Sequence, residues 1–234
     1  MSHNSASPES RLSDPHREDH AGEIVPVSSD QEKVDWDAIV HAPGSKRKFL
    51  KAFLRNRGQV GAIAPSSPQL AEMMVDWFDW DTIRSIVEYG PGTGVFTERI
   101  ESLRHPETQF LAIEMDPELA ELTRRRCPSV KVCIDSVTNA PSLCAEASID
   151  GVDAIVSGLP WASFPESLQD ECFDAMFQIL PPGGKFATFA YWQGLLLPAG
   201  QRFRRKLSER FSEVHVSQTA WKNLPPAFVY RCVR

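Results

Sequence analysis

Five residues near the middle of the chain, Gly90-Pro91-Gly92-Thr93-Gly94, restrict the possible folds more than any other stretch. They follow Ile86-Val87-Glu88-Tyr89, which reads as a buried strand, and Val95 to Arg99 begins a helix directly after them. Glycines at such a junction permit a tight turn and let backbone approach a ligand without a Cβ in the way. In open α/β sheets ligands lie beyond the carboxyl ends of the strands, which is where this loop falls. The spacing Glu88-x-Gly90-x-Gly92-x-Gly94 differs from the Gly-x-Gly-x-x-Gly of dinucleotide enzymes. It also lacks the Gly-Lys-[Ser/Thr] of a phosphate-cradling loop. Taken alone, it fits a plain strand–helix turn as well.

The pattern around the loop repeats. Strand-like segments are expected at 84–89, 108–114, 129–134, 152–157, 185–191, 213–218 and 227–232. Helical patterns lie between them at 68–79, 95–105, 117–126, 138–146, 166–180 and 199–211. Strands alternating with such helices imply βαβ units and a parallel sheet. Only Thr219 to Pro226 links the last two strands, so those two should form an antiparallel hairpin. The expected fold is α/β: a doubly wound seven-stranded sheet, mostly parallel, with a C-terminal antiparallel hairpin.

Two further strands end in acids. Gln109-Phe110-Leu111-Ala112-Ile113 runs into Glu114, placed to accept hydrogen bonds from both hydroxyls of a ribose. Met115 follows, either to pack on an adenine face or to fill core. Val130-Lys131-Val132-Cys133-Ile134 runs into Asp135, placed to accept from an adenine amino group. A glycine loop and two acids on three successive strands point to a nucleoside ligand. The lack of a phosphate-binding basic residue favours S-adenosylmethionine over a nicotinamide cofactor.

Charge is unevenly spread. The chain of 234 residues has a formal net charge of −6. Its first 40 residues hold three basic and nine acidic side chains, and the other 194 hold 22 of each. Residues 1–38 are rich in Ser, Asp, Glu and Pro without an apolar period, so a disordered acidic tail is expected there. His3, His16 and His20 in that tail have no accompanying ligand set, and no metal site is expected. The five cysteines lack Cys-x-x-Cys spacing and suit free thiols in a reducing compartment. No basic start with an apolar stretch marks a secretory signal, and no run of about 18 apolar residues suits a membrane span.

The fourth strand, Asp153-Ala154-Ile155-Val156, leads into Ser157-Gly158-Leu159-Pro160-Trp161, with Phe164-Pro165 shortly after. Gly61-Ala62-Ile63-Ala64-Pro65-Ser66-Ser67, Leu180-Pro181-Pro182-Gly183-Gly184 and Asn223-Leu224-Pro225-Pro226-Ala227 complete a set of motifs. With these, residues 45–234 resemble the bacterial phospholipid N-methyltransferases. Those are class I S-adenosylmethionine-dependent methyltransferases related to the rRNA adenine dimethyltransferases. The acidic tail is extra, and Trp161 stands where the family leads one to expect an aliphatic residue. The resemblance implies a cofactor site from Ser66, Ser67, Glu88, Gly90, Gly92, Gly94, Thr97, Glu114, Met115, Asp135 and Ser136. It implies an acceptor site from Ser157, Gly158, Leu159, Pro160, Trp161 and Tyr191, and a methyltransferase domain over 58–234.

Methyl transfer to an amine is an in-line displacement, so the enzyme mainly has to hold two partners close, aligned and dry. The carbonyls of Gly158 and Leu159 can accept N–H bonds from the amine. Trp161 can face the ammonium that forms, and Tyr191 can do the same or take a proton; core or pocket-wall packing is the alternative for both. Residues 45–57 suggest where the acceptor comes from. Phe49, Leu50, Phe53 and Leu54 fall in an arc of roughly 140° at about 100° per residue, with Arg47, Lys48, Lys51 and Arg55 opposite. Lys46 to Arg57 carries six positive charges in twelve residues. Cations in a first helical turn oppose the helix dipole, so local stability does not explain them, whereas an amphipathic helix on an anionic bilayer does. The alternative is a helix packed on the sheet with solvated charges.

The expected activity is methylation of the head-group amine of phosphatidylethanolamine towards phosphatidylcholine, with another amino lipid such as ornithine lipid as the close variant. The expected setting is a cytoplasmic monomer, peripheral on the inner face of an anionic phospholipid membrane. Adenine dimethylation in rRNA and a non-catalytic, cofactor-sensing role are the competing readings. Against the first, the folded part carries no excess basic charge and the loop lacks its Asn and Tyr, so no nucleic acid is expected.

Overall fold

A β-strand buried on both faces reads as a continuous apolar run, and Ser85–Tyr89, with all five residues buried, is the middle of such a sheet. A computed structural model of the protein describes residues 66–234. The expected tail at 1–38 and the basic helix at 45–57 lie outside the described residues.

The chain runs α1 (Pro68–Val75), β1 (Ser85–Tyr89), α2 (Val95–Leu103), β2 (Gln109–Glu114), α3 (Pro117–Arg126) and β3 (Lys131–Ile134). It continues through α4 (Ala140–Glu146), β4 (Ala154–Ser157), α5 (Glu166–Ile179), β5 (Lys185–Tyr191), α6 (Pro198–Arg210), β6 (Glu213–Val216) and β7 (Ala227–Val233). The seven strands are ordered β3-β2-β1-β4-β5-β7-β6. The first five are parallel to one another, while β7 pairs antiparallel with both β5 and β6. The expected α/β fold with its C-terminal hairpin is the one found. Strand order reverses between β1 and β4, and a crevice opens beyond the carboxyl ends of the strands at such a switch point.

Local chemistry sets several boundaries. Ser67 caps α1, its hydroxyl accepting from Leu70 N at 3.1 Å, and Pro68 pre-sets the first turn. Asp116 caps α3 by accepting from the amides of Glu118 and Leu119, and three arginines occupy the last turn, where the helix dipole favours cations. The strands lie within two residues of their expected positions. Helix α1 is the main departure, ending at Val75 where the sequence suggests Asp79. Its apolar continuation, Trp77, Phe78 and Trp80, packs as an aromatic turn with centroids 5.0 and 5.7 Å apart.

Two apolar layers cover the sheet. Leu70 and Met74 of α1, Phe96 and Ile100 of α2, and Ala120 of α3 pack on one face. The other face carries Leu143 of α4, Phe173 and Met176 of α5, and Phe203 and Leu207 of α6. Phe173 is the hub of that second layer, within ring contact of Trp161, Phe177, Phe186, Phe203 and Phe211. Phe173→Ala should therefore cost about 3–5 kcal/mol of folding stability, measured by chemical denaturation. A loss below about 1 kcal/mol would mean that the layer collapses around the gap.

Candidate functional site

The crevice is built by backbone contacts between neighbouring strand ends. Gly90 N donates to Ile113 O at 2.9 Å, and Gly158 N donates to Tyr89 O at 2.8 Å. The loop after β1 is thus tied to β2 on one side and to the loop after β4 on the other. A Cβ on Gly158 would lie 2.4 Å from the carbonyl oxygen of Gly90, so only glycine allows the two loops to touch. Gly90 is shielded by Leu159, and Gly94 abuts Thr123 and Arg126. Gly92 differs: at φ +61 it is strained for any side chain, yet a Cβ there would meet nothing within 4 Å. Open space beside a glycine loop at a strand end is where a ligand can run along the backbone.

Three carboxylates border the loop. Glu114, almost fully buried, accepts from Gly92 N and Asp116 N, each at 3.0 Å. This acid therefore shapes the glycine loop, and each oxygen keeps a lone pair for a hydroxyl. Burial raises its pKa, against the pull of those amides. Glu88 is fully buried, and neither oxygen has a hydrogen-bond partner among the described residues. Burial pushes its carboxyl up to about 8; the nearby Thr97 hydroxyl lowers it and the Glu114 charge adds to the rise. Asp135 accepts from Ser136 N and from Asn139 Nδ2, at 2.7 and 2.9 Å. Ser136 caps the following turn, its hydroxyl accepting from Thr138 Oγ1 at 2.8 Å.

These residues fit S-adenosylmethionine. Glu114 offers acceptors for ribose hydroxyls, and the unpartnered Glu88 carboxyl is matched to a cationic ligand. Asp135 stands beside two apolar surfaces, half-buried Met115 and Ile134, the latter 45% exposed at the end of β3. Ile134 pairs in register with Glu114, so both leave adjacent strand ends. From the sequence Ile134 is only the last residue of its strand; its exposure comes from the structure.

On the acceptor side the structure corrects one expectation. Trp161 is 2% exposed, and its indole lies against Phe164, Phe173, Phe186 and Phe203. It cannot face an ammonium; its Nε1–H donates instead to Ser157 Oγ at 2.9 Å. Ser157 is itself fully buried, so this pair sets the loop's path from the core. The Leu159 carbonyl accepts from Trp161 N at 3.0 Å and keeps its second lone pair. The Gly158 carbonyl accepts no hydrogen bond from the described residues and stays available to an amine. Half-buried Pro160 leads into the short turn Trp161–Ser163. Tyr191, half-buried at the end of β5, packs edge-on to Phe189 at 5.5 Å, on the sheet face opposite Trp161.

Ser67 serves α1 as its cap, with half-buried Ser66 just before it. Its amide donates to Asn223 Oδ1 at 2.9 Å, and Asn223 Nδ2 donates to Pro225 O at 2.7 Å. Buried Asn223 thus joins two of the motifs that carry the resemblance, a positioning role that their separation in sequence hides. Thr123 is a second residue that pattern reasoning misses. Fully buried in α3, it donates from Oγ1 to Gly92 O at 3.0 Å.

Over 187 residues the chain is 33% identical to the ornithine lipid N-methyltransferase of Singulisphaera acidiphila, covering 79% of this chain and 93% of that protein. No family model matches. The fold is similar to that of the O-methyltransferase TomG of Streptomyces achromogenes, solved with S-adenosylmethionine, with a TM-score of 0.55, 16% identity and coverage of 80% and 89%. It is also similar to an O-methyltransferase of Bacillus cereus, solved with S-adenosylhomocysteine, with a TM-score of 0.57, 12% identity and coverage of 85% and 94%. At such identities these two structures speak to the fold alone.

Two outcomes follow from the geometry. Gly158→Ala forces a methyl group into the Gly90 carbonyl, so cofactor affinity should fall at least tenfold together with turnover. Unchanged affinity by calorimetry would show that the two loops move independently. For Glu88, the folded-state pKa of about 8 lies above its ordinary 4.5, so the protonated acid is favoured on folding. Stability of the ligand-free protein should decline as pH rises from about 4.5 to about 8, then level off. Glu88→Gln should match the native protein near the acid end and exceed it, on the order of a few kcal/mol, near the alkaline end. Parallel urea curves for the two proteins across this range would contradict it.

Proposed function

Because the chain belongs to the class I S-adenosylmethionine-dependent methyltransferases, in the family of the ornithine lipid enzyme, we propose that it methylates the amine of a membrane amino lipid. Ornithine lipid is favoured over the phosphatidylethanolamine that the motifs first suggest. The observation that carries this reading is the 33% identity to the ornithine lipid enzyme across 93% of its length. Ser-Gly-Leu-Pro at the end of β4 agrees with an amine acceptor.

S-adenosylmethionine supplies an electrophilic methyl on a positively charged sulfur. Glu114, Asp135, Met115 and Ile134 hold its nucleoside end, and Glu88 opposes its positive charge. The amine must arrive with its lone pair free, and the nitrogen sheds a proton for each methyl it gains. Gly158 O is placed to accept an N–H bond and orient the lone pair; Ser157 and Trp161 hold that carbonyl in position from below. Tyr191, at the end of the neighbouring strand β5, is proposed as wall or proton acceptor.

Among the described residues no helix is long and apolar enough to cross a membrane. A lipid acceptor therefore requires docking at the bilayer surface, and the basic stretch Lys46 to Arg57 suits an anionic inner leaflet. We place the protein in the cytoplasm, peripheral on that face.

The test is expression in a bacterial host that makes both phosphatidylethanolamine and ornithine lipid, followed by lipid extraction and mass spectrometry. Successive methyl increments on ornithine lipid are expected. Increments on phosphatidylethanolamine alone would restore the first expectation, and no methylated lipid of either kind would overturn the lipid reading.

A further inference from the structure

Of the eight large apolar side chains exposed among the described residues, five stand on two loops. Trp192, Leu196 and Leu197 belong to the segment joining β5 to α6; Trp221 and Leu224 belong to the one joining β6 to β7. Their exposure is not marginal: Leu196, Trp221 and Leu224 are 71%, 68% and 72% exposed. The two segments meet in space. Tyr191 pairs with Ala227 at the end of the β5–β7 ladder, Trp192 N donates to Pro226 O at 2.9 Å, and Ala220 bridges to Ala227. Single exposed apolar residues are ordinary, but a contiguous set on one rim marks an interaction surface.

Charge identifies the partner. Helix α6 buries Phe203 and Leu207 and turns Gln201, Arg204, Arg205 and Ser208 outward, at the i, i+3, i+4, i+7 spacing of one helix face. With Leu195 these four line a groove of about 460 Å³. The other cations of α6 are engaged: Arg202 pairs with Glu166, Lys206 with Asp170, and Arg210 with Asp170 and Asp174. Arg204 and Arg205 form no ion pair among the described residues. Two guanidiniums with no ion pair among the described residues, on the helix packed against the turn Trp192–Leu196, suit lipid phosphates next to acyl chains, since Trp favours the bilayer interface and Arg forks fit phosphate. The rim also lies at the carboxyl end of β5, the neighbour of β4. With strands about 4.8 Å apart, it is roughly 5–10 Å along the sheet from the Gly158 carbonyl.

We propose that this rim is the surface on which the protein lies on an anionic bilayer. Trp192, Leu196, Leu197, Trp221 and Leu224 enter the interface, and Arg204 and Arg205 face phosphates. The proposal rests on the amino-lipid reading above and adds to it a place: a head group meets the acceptor loop without leaving the membrane. Docking is thereby assigned to the catalytic domain itself as well as to the basic stretch before it.

Flotation of the full-length protein with vesicles of phosphatidylcholine, with and without about one third phosphatidylglycerol, tests it. Leu196→Ser with Leu197→Ser and Trp221→Ser should weaken binding to anionic vesicles at least tenfold. Arg204→Glu with Arg205→Glu should weaken it similarly and abolish the preference for anionic lipid. All of these side chains are exposed, so melting temperature should hold, and turnover of ornithine lipid dispersed in detergent should remain within about twofold of the native protein. Lys48, Lys51 and Arg55 changed to Glu provide the comparison. If only that variant loses binding, the rim proposal falls while the amino-lipid reading stands. If the rim variants convert a dimer to a monomer and leave flotation unchanged, the rim is a self-interface and the proposal is again wrong. Loss of turnover on detergent-dispersed lipid would make these residues part of the head-group site instead. A native protein that methylates no lipid in any form overturns the functional reading separately, whatever the flotation result.

Discussion

The contact between Gly158 and the carbonyl of Gly90 is the constraint from which the site's geometry follows. It sits at the switch point between β1 and β4, and it joins the glycine loop to the loop after β4, the two loops proposed to hold cofactor and acceptor. In-line transfer needs the two partners aligned to within a fraction of an ångström or so, and tethering the two loops backbone to backbone achieves this with little freedom to lose. The hydrogen bonds from Gly90 to Ile113 and from Gly158 to Tyr89 extend the same rigidity across β2, β1 and β4. Only unbranched backbone could make this contact, which gives the two glycines different roles: Gly158 for closeness, Gly92 for vacancy.

Electrostatics divides labour in a similar way. Glu114 and Glu88 both lie buried beneath the loop, yet one is bound by amides and the other is not. Glu114 remains a structural acceptor whatever the ligand, because Gly92 and Asp116 hold it in place. Glu88 has no such compensation, and its carboxyl rises to about 8 as a result. A buried acid in this condition is a poor structural element and a good counter-charge. Protonation relieves its desolvation, and the ionised form would be compensated by a cation such as the sulfonium cofactor.

Much of this was legible in the residues. The glycine loop, Glu114 and Asp135 announced a nucleoside site because each stands at a strand end, and period alone locates strand ends well. The acceptor loop was legible as a location but not as a set of roles. Nothing in Ser157-Gly158-Leu159-Pro160-Trp161 says which side chains turn inward, since a tryptophan suits an ammonium and an aromatic core equally. The layer of phenylalanines on α5, β5 and α6 decides it, and that layer is assembled from residues as far along the chain as Phe203. Asn223 and Thr123 were hidden for the same reason: each acts on backbone far off in the chain. Helix α1 stopped early because its last aromatics gain more by packing together than by continuing the turn.

The distribution of indoles has a spectroscopic consequence. Trp161 is the one buried tryptophan among the described residues, and it is hydrogen-bonded to Ser157 at the start of the loop after β4. Trp192 and Trp221 stand in solvent on the rim. The first is shielded from a dissolved quencher such as iodide; the other two are open to it. Trp161 thus reports on the loop after β4 and Trp192 and Trp221 on the rim, over the emission of half-buried Trp77 and Trp80 and of Trp36. Engagement of a head group and contact with a bilayer should leave separate optical signatures in the unlabelled molecule.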